Sequence, residues 1–396
     1  KIIFFNLFNS YFFIFKNMTS QDFNIILINI DGFRKDKIPL CPNLNDIKEN
    51  SLFFSEMNTV APYTFASLHS VFSGLYPSKN GVNGYYNIFK FKKDEIITFP
   101  QLLRKSGYYT SYDIIDDSVI PSQGFDEKNV FDEKTVDFSA RHTEMIKRLS
   151  SKKKFFLFLH YTETHKHLVD AVIQKYKQET NDDEYFNNKE ENNDRFNSYM
   201  PYCDNYIKSI IEVLKQEKIY DNTILILFAD HGTSLGEKKG EKFYGVYVYD
   251  YTINVFCILK IPNTGKNEIS KQCSTLDIFP TILDLANISK ENLLDLQGKS
   301  LLNFLKTPSE EDRQVFVETG GLYGPWPSPD THNIFCIKSN KKKLIFNKTP
   351  KTWEFYDLKL DPDEKNNIYD EELDVIKKYK QILKNHFLEN NIDCKL

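Results

Sequence analysis

The chain has 396 residues, of which 41% are hydrophobic and 27% charged, so it carries enough apolar material for a sizeable core and is not disordered overall. Lysine and arginine number 51 against 55 acidic residues, a net charge of −4; no basic excess draws the chain to a phosphate backbone, and nucleic acid is not expected as a partner. Six cysteines stand singly with no CxxC pair, which excludes zinc knuckles and thioredoxin-like redox chemistry.

Residues 2–15 read IIFFNLFNSYFFIF, an apolar run too short to span a bilayer comfortably. Residues 1–17 are expected to be a mis-called gene start or the remnant of a membrane anchor, because a clean start at Met18 precedes the first strand. Initiation at Met18 implies a cytoplasmic protein, and a longer N-terminus implies export or anchoring. Phe23 to Ile30 is a continuous apolar run ending in Asp31-Gly32, the pattern of a parallel strand buried on both faces. A short helix over Asn43–Glu49 and an apolar stretch at Ser51–Phe54 follow. Ala66–Phe72 reads as a helix stopped at Ser73-Gly74, Phe99–Lys105 as another, and Tyr108–Ile114 as a strand. Lys154–Leu159 is a second buried strand, ending at His160. Gln178–Asn197, dense in Asn, Asp and Glu, reads as a solvated insertion loop. Tyr202–Gln216 carries apolar residues on one helical face, and Thr223–Ala229 is a third buried strand, ending at Asp230-His231-Gly232.

This alternation predicts an α/β fold with a mostly parallel central sheet flanked by helices, over residues 18–300. A smaller α+β subdomain is expected over 301–396, with a last helix near Asp370–Asn390. Open α/β sheets place their sites beyond the carboxyl ends of the strands, so Asp31, His160, Asp230 and His231 are expected to converge. Carboxylates with an imidazole make a donor set for a divalent cation. Thr64, just ahead of the Ala66–Phe72 helix, is either its N-cap or a hydroxyl nucleophile whose pKa a cation would lower.

Six blocks bring these residues into one pattern: Asn24–Asp36 (NIILINIDGFRKD), Thr64–Pro77, Phe156–His165 (FLFLHYTETH), Tyr220–Gly232 with Leu235-Gly236-Glu237, Leu276–Ala286, and Glu354–Ile368. In order and spacing they resemble the sulfatase family of the alkaline phosphatase superfamily. The resemblance implies a metal-dependent hydrolase of sulfate or phosphate esters, or a phospho-group transferase acting on a glycan or lipid; a non-catalytic anion or glycan binder is the reading from a different class. It implies Asp31, Thr64, Asp230 and His231 as ligands of one divalent metal, His165 as general acid, His160 as a substrate-binding or orienting group, and Lys242 as a catalytic or substrate-binding lysine. His69 is expected to pack, His167 to lie on the surface, and Asn83 or Asn87 to be at most a substrate contact.

Sulfatases carry Cys or Ser in a C/S-x-P/A-x-R block that becomes formylglycine. Here Thr64 and Leu68 occupy the nucleophile and arginine positions, so no formylglycine is expected and Thr64 would attack directly, as the unmodified threonine of neighbouring branches does. Gly32 replaces the second of the paired aspartates of calcium sulfatases, and Tyr244 stands near the position of a family histidine. With His231 among the ligands, Zn²⁺ or Mn²⁺ is favoured over Ca²⁺. The expected partner is an anionic ester; the sequence leaves the oligomeric state open.

Overall fold

The computed structural model describes residues 22–166, 182–291, 293, 295–306, 313–371 and 374–393; the segment 1–17 and His167 lie outside them. Nine strands form the main sheet: β1 (Asn24–Ile30), β2 (Leu52–Asn58), β3 (Tyr109–Ile114), β4 (Glu127–Val130), β5 (Phe155–Tyr161), β6 (Thr223–Phe228), β7 (Asn254–Lys260), β8 (Asn267–Ile269) and β9 (Cys273–Ser274). Their order is β4-β3-β5-β1-β6-β7-β2-β8, with β9 also on β2. The run from β4 to β6 is parallel throughout, and β7 is antiparallel to both its neighbours. The three apolar runs read from the sequence are its centre: every residue of β1, β5 and β6 is buried. Strands buried on both faces are apolar at nearly every position, because helices cover each side, and their few polar residues stand at or near the ends. The helices Pro42–Glu49, Phe138–Leu149 and Met200–Gln216 form one group against the sheet, and Thr64–Ser73, Phe99–Lys105 and Ile278–Leu285 form another.

The polar stretch read as an insertion loop is helical where it is described, over Asp182–Asn187 and Lys189–Asn197. Composition concealed two anchors, since Tyr185 and Phe196 are completely buried. The Asn192 amide also donates to the carbonyls of Tyr185 (2.8 Å) and Leu235 (3.2 Å), tying these helices to the loop beyond His231.

A second, antiparallel sheet takes the order β10 (Val315–Thr319), β11 (Ile334–Lys338), β12 (Lys342–Asn347), β13 (Thr352–Asp357). The helix Asp374–Glu389 covers it, packing Ile376, Tyr379, Leu383 and Phe387 on Phe335, Leu344 and Phe355. Charged groups join the two sheets. Lys338 donates to Asn58 Oδ1 (2.9 Å) and Asp250 Oδ2 (2.8 Å), while Lys343 pairs with Asp250 Oδ1 (2.5 Å) and Glu364 (2.6 Å). Five of the six cysteines are described, and all five are buried free thiols. No helix among the described residues is long and apolar enough to cross a membrane.

Candidate active site

The parallel register sets the site. β1 lies between β5 and β6, with Asn29 opposite both His160 and Phe228, so three strands release their chains at one level. Asp31, His160 and the Asp230-His231 pair therefore meet beyond the same edge of the sheet. The Asn29 side chain accepts from the Asp230 N–H (3.0 Å), and the Asp31 N–H donates to Tyr161 O (3.0 Å); these bonds fix where the two carboxylates point.

Thr64 arrives from the opposite direction. Tyr63, in extended conformation, is the N-cap of the Thr64–Ser73 helix, and Thr64 is its first helical residue. Of the two sequence readings of Thr64, the capping one is thereby removed. Its hydroxyl is 3.3 Å from Asp31 Oδ2 and 3.2 Å from His231 Nε2, in the positive field of the helix N-terminus.

Asp31, Asp230 and His231 each offer a ligand atom within 4.8 Å of the others. His231 Nδ1–H donates to Gly232 O (2.9 Å), which leaves the Nε2 lone pair facing the cluster. Asp230 Oδ1 accepts from the N–H groups of Gly32 (3.3 Å) and His231 (3.0 Å), whereas Asp230 Oδ2 is buried with no hydrogen-bond partner. An orphaned buried carboxylate oxygen is costly unless a cation takes it up. Burial, then the Asp31 charge, raises the Asp230 carboxyl above its ordinary value. Burial acts on Asp31 in the same sense, but His165 and His160 overcome it and hold that carboxyl well below the usual range. The donor set of two carboxylates, one imidazole and the Thr64 hydroxyl fits one divalent metal.

Gly32 has φ +62°, and a Cβ there would lie 3.0 Å from Thr233 Oγ1. The backbone at this point favours glycine and makes a second aspartate strained. Two hydroxyls brace the turn: Thr233 donates to Gly32 O (2.7 Å) and Thr164 to Asp31 O. Arg34 does not enter the cluster. It bonds Asp36 Oδ1 (2.9 Å), Thr233 O (3.0 Å) and Glu237 Oε1 (2.5 Å), tying the first block to the late one.

His160 Nε2 is 2.8 Å from Asp31 Oδ2, and its Nδ1 is buried without a partner. His165 Nε2 is 3.1 Å from Asp31 Oδ1 and its Nδ1 is 2.7 Å from Glu133 Oε1. Burial would lower His165, but the two carboxylates dominate and raise it well above the ordinary imidazole value. Asp31, His160, Asp230 and His231 are fully buried, while Thr64 is 8% exposed and the His165 side chain 17%. A ligand therefore approaches from the Thr64–His165 side.

The remaining candidates sit outside this group or at its edge. His69 packs, with Nδ1 2.8 Å from Phe65 O. Asn87 is spent on Asn83 Oδ1 (2.8 Å) and Asp330 O (2.5 Å), so both asparagines brace a loop. Leu68 is fully buried in the core, so the arginine position of the nucleophile block does not face the site. Lys242 is half-buried on the loop after His231, its carbonyl accepting from the Tyr185 hydroxyl. Two contacts were invisible in the sequence. Glu133 reaches His165 from a loop that carries no motif, and the Tyr244 ring lies 4.2 Å from the His231 ring. The Tyr244 contact had a signal, the tyrosine in place of an expected histidine.

The chain spans about a third of the length of the curated relatives it matches. An N-acetylglucosamine-6-O-sulfatase of Bacteroides thetaiotaomicron is 29% identical over 205 residues, 47% of this chain and 35% of that protein. Among solved structures, one of a protein in complex with its substrate D-glucosamine-2-N,6-O-disulfate superposes with a TM-score of 0.74 at 18% identity, covering 94% of this chain and 99% of that one. A phosphonate monoester hydrolase from Silicibacter pomeroyi gives 0.73 at 16% identity, covering 94% and 96%. At these identities the two structures establish the fold. The family model for the N-sulphoglucosamine sulphohydrolase C-terminal region matches residues 240–391. The sulfatase family model matches residues 24–288, which contain all of the convergent groups described above, and the chain belongs to the sulfatase family.

Proposed function

We propose that the protein hydrolyses a sulfate or phosphate ester, with Thr64 as the direct nucleophile beside a single divalent metal held by Asp31, Asp230, His231 and the Thr64 hydroxyl. The observation that carries this reading is the Thr64 hydroxyl within 3.3 Å of both Asp31 and His231, next to a carboxylate oxygen that has no partner. A bound cation would supply charge neutralisation for the tetrahedral anion and a lowered pKa for the hydroxyl. The mixed oxygen and nitrogen donors favour Zn²⁺ or Mn²⁺ over Ca²⁺.

The chain's own groups perform the rest. Thr64 Oγ1 attacks sulfur or phosphorus in line, forming a Thr64 ester as the bond to the leaving oxygen breaks. Its proton is released to solvent from the exposed side of the hydroxyl, because Asp31, held well below the usual carboxylate range, is a poor acceptor. His165, held protonated between Asp31 and Glu133, gives a proton to the leaving oxygen. Water then attacks the Thr64 ester, Thr64 regains its proton, and His165 takes one from the water. Lys242 is positioned by sequence to add a cation on the substrate side. Because Thr64 replaces the formylglycine precursor, no aldehyde is formed. The leaving group is assigned to a sugar by analogy with the glucosamine-directed relatives, and the phosphonate monoester hydrolase likeness keeps phosphoryl substrates within the same reading.

Elemental analysis, with intact-mass measurement after separate incubation with an aryl sulfate and an aryl phosphate, tests it. About one Zn or Mn per chain is expected, together with a covalent increment mapping to Thr64 and absent from Thr64→Ala. A metal-free chain whose mass neither ester changes would overturn the reading.

A further inference from the structure

A second cavity, of about 790 Å³, opens where the two sheets meet, away from Thr64. Tyr76, on its wall, lies beyond the C-terminal end of the helix that Thr64 begins, so the ten-residue helix separates the two sites by about 15 Å. Its floor is aromatic: the rings of Phe316 and His386 stack at 3.9 Å and 6°, and Tyr76 meets the His386 ring edge-on at 4.7 Å. Burial pulls His386 down to about 4, so the floor is neutral near pH 7.

The rim is cationic, and its cations divide into two kinds. Arg313 is committed to Asp277 through two bonds of 2.5 and 2.9 Å, and Lys342 is paired with Asp357. Lys299, Lys341 and Lys378 also line the cavity and are exposed, and none of their ammonium groups has a hydrogen-bond or ion-pair partner among the described residues. They come from three separate elements: the segment after the Ile278–Leu285 helix, the β11–β12 turn and the C-terminal helix. Among the described residues Glu389 is the one acid on the wall. Three unpaired ammonium groups around one opening, on a chain whose net charge is −4, are a local reversal of sign.

We infer that this cavity is a binding site for a saccharide carrying several sulfate or phosphate groups, separate from the ester-cleaving centre. Ammonium groups on flexible stems meet tetrahedral oxyanions as point charges. The spacing over three elements selects an anion with charges distributed along a scaffold over a single small ion. The aromatic floor offers a sugar ring an apolar face, and the volume suits a bound molecule of that size. Because Lys299 follows a helix packed on the main sheet, whereas Lys341 and Lys378 belong to the antiparallel sheet and the helix that covers it, an occupant spans the seam between the two sheets.

The test uses the full-length chain with Thr64→Ala, so that binding is measured without turnover. A heparin-derived tetrasaccharide and inositol hexakisphosphate are titrated by calorimetry, alongside inorganic sulfate. At least one multivalent probe is expected to bind far more tightly than inorganic sulfate, and which one binds says whether the groups recognised are sulfates or phosphates. The triple reversal Lys299→Glu, Lys341→Glu, Lys378→Glu is expected to weaken it tenfold or more. A control reversal of the exposed Lys105, Lys147 and Lys218 should leave the affinity within about twofold. In the Thr64 background, the cavity variant should hydrolyse a small aryl ester at the unaltered rate. Equal weakening by both reversals, or no binding of any multivalent probe, overturns the inference. Inactivity of the unaltered chain towards every ester, with cavity binding intact, would instead sink the hydrolase reading and leave this one standing.

Discussion

Two buried clusters of charge lie within this molecule, and they are built on opposite terms. At the sheet edge, Asp31 and Asp230 face the same small space; His165 offsets the charge of Asp31, but one Asp230 oxygen has no partner. Between the two sheets, Asp250 receives both Lys338 and Lys343, and Lys343 also takes Glu364. Burial raises the carboxyl in both places, but at Asp250 the two ammonium groups reverse it and hold the group far below its ordinary value, whereas Asp230 stays raised. The seam cluster balances two cations against two carboxylates. The site cluster is incomplete as protein alone, which is the physical signature of a place built for a ligand.

The largest expected effect comes from breaking the balanced cluster. Asp250→Ala leaves the buried Lys338 ammonium without a counter-charge and Lys343 with Glu364 alone, and should cost about 3–5 kcal/mol of stability, read as a shift in the urea midpoint. Asp230→Asn removes a like charge from beside Asp31 and should leave the metal-free protein as stable as before, or more so, while abolishing metal uptake. If the two variants destabilise alike, the distinction between a finished and an unfinished cluster fails.

The seam cluster was also the part that the sequence concealed. β1, β5 and β6 were legible because a strand covered on both faces is apolar at nearly every position, and the polar residues ending such runs announce themselves. Asp31, His160 and Asp230-His231 followed from that one rule. Lys338 is the last residue of β11 and Lys343 the second of β12, and their partner Asp250 lies 88 and 93 residues earlier. No local pattern encodes such a pairing. Glu133 was missed for the same reason: its meaning comes from the His165 ring 32 residues away. The helices of 182–197 were hidden differently, by polar residues that outnumber the buried Tyr185 and Phe196.

Metal addition sharpens the comparison from the other side. If the site cluster is completed by a cation, Zn²⁺ or Mn²⁺ at a hundred times its dissociation constant should stabilise the chain by about 2.7 kcal/mol. Differential scanning fluorimetry with and without chelator would record it. Asp230→Asn should erase the response and Lys338→Met should leave it intact. A response that survives loss of Asp230 would place the cation elsewhere.

The smallest expected effect concerns acid, and it separates the buried histidines from the seam network by pH window. His69, on the Thr64 helix, and His386, on the C-terminal helix, are each buried and pulled down to about 4. The unfolded chain binds these protons near pH 6.5, so each histidine favours unfolding progressively as pH falls from about 6.5 to 4, with no further loss below. Asp250 behaves in the other direction. Its carboxyl is lowered in the folded state, so its stabilisation is complete above about pH 4 and disappears only under stronger acid. Urea midpoints measured from pH 7.5 to 4.5 should therefore decline while the seam network is still intact, by at most a few kcal/mol for the pair of histidines. His386→Phe keeps a ring on Phe316 and should flatten that decline by about half, whereas Asp250→Ala should lower the whole curve without altering its slope in this range. An unchanged slope in the His386 variant would mean that this ring takes its proton without unfolding the helix that carries it.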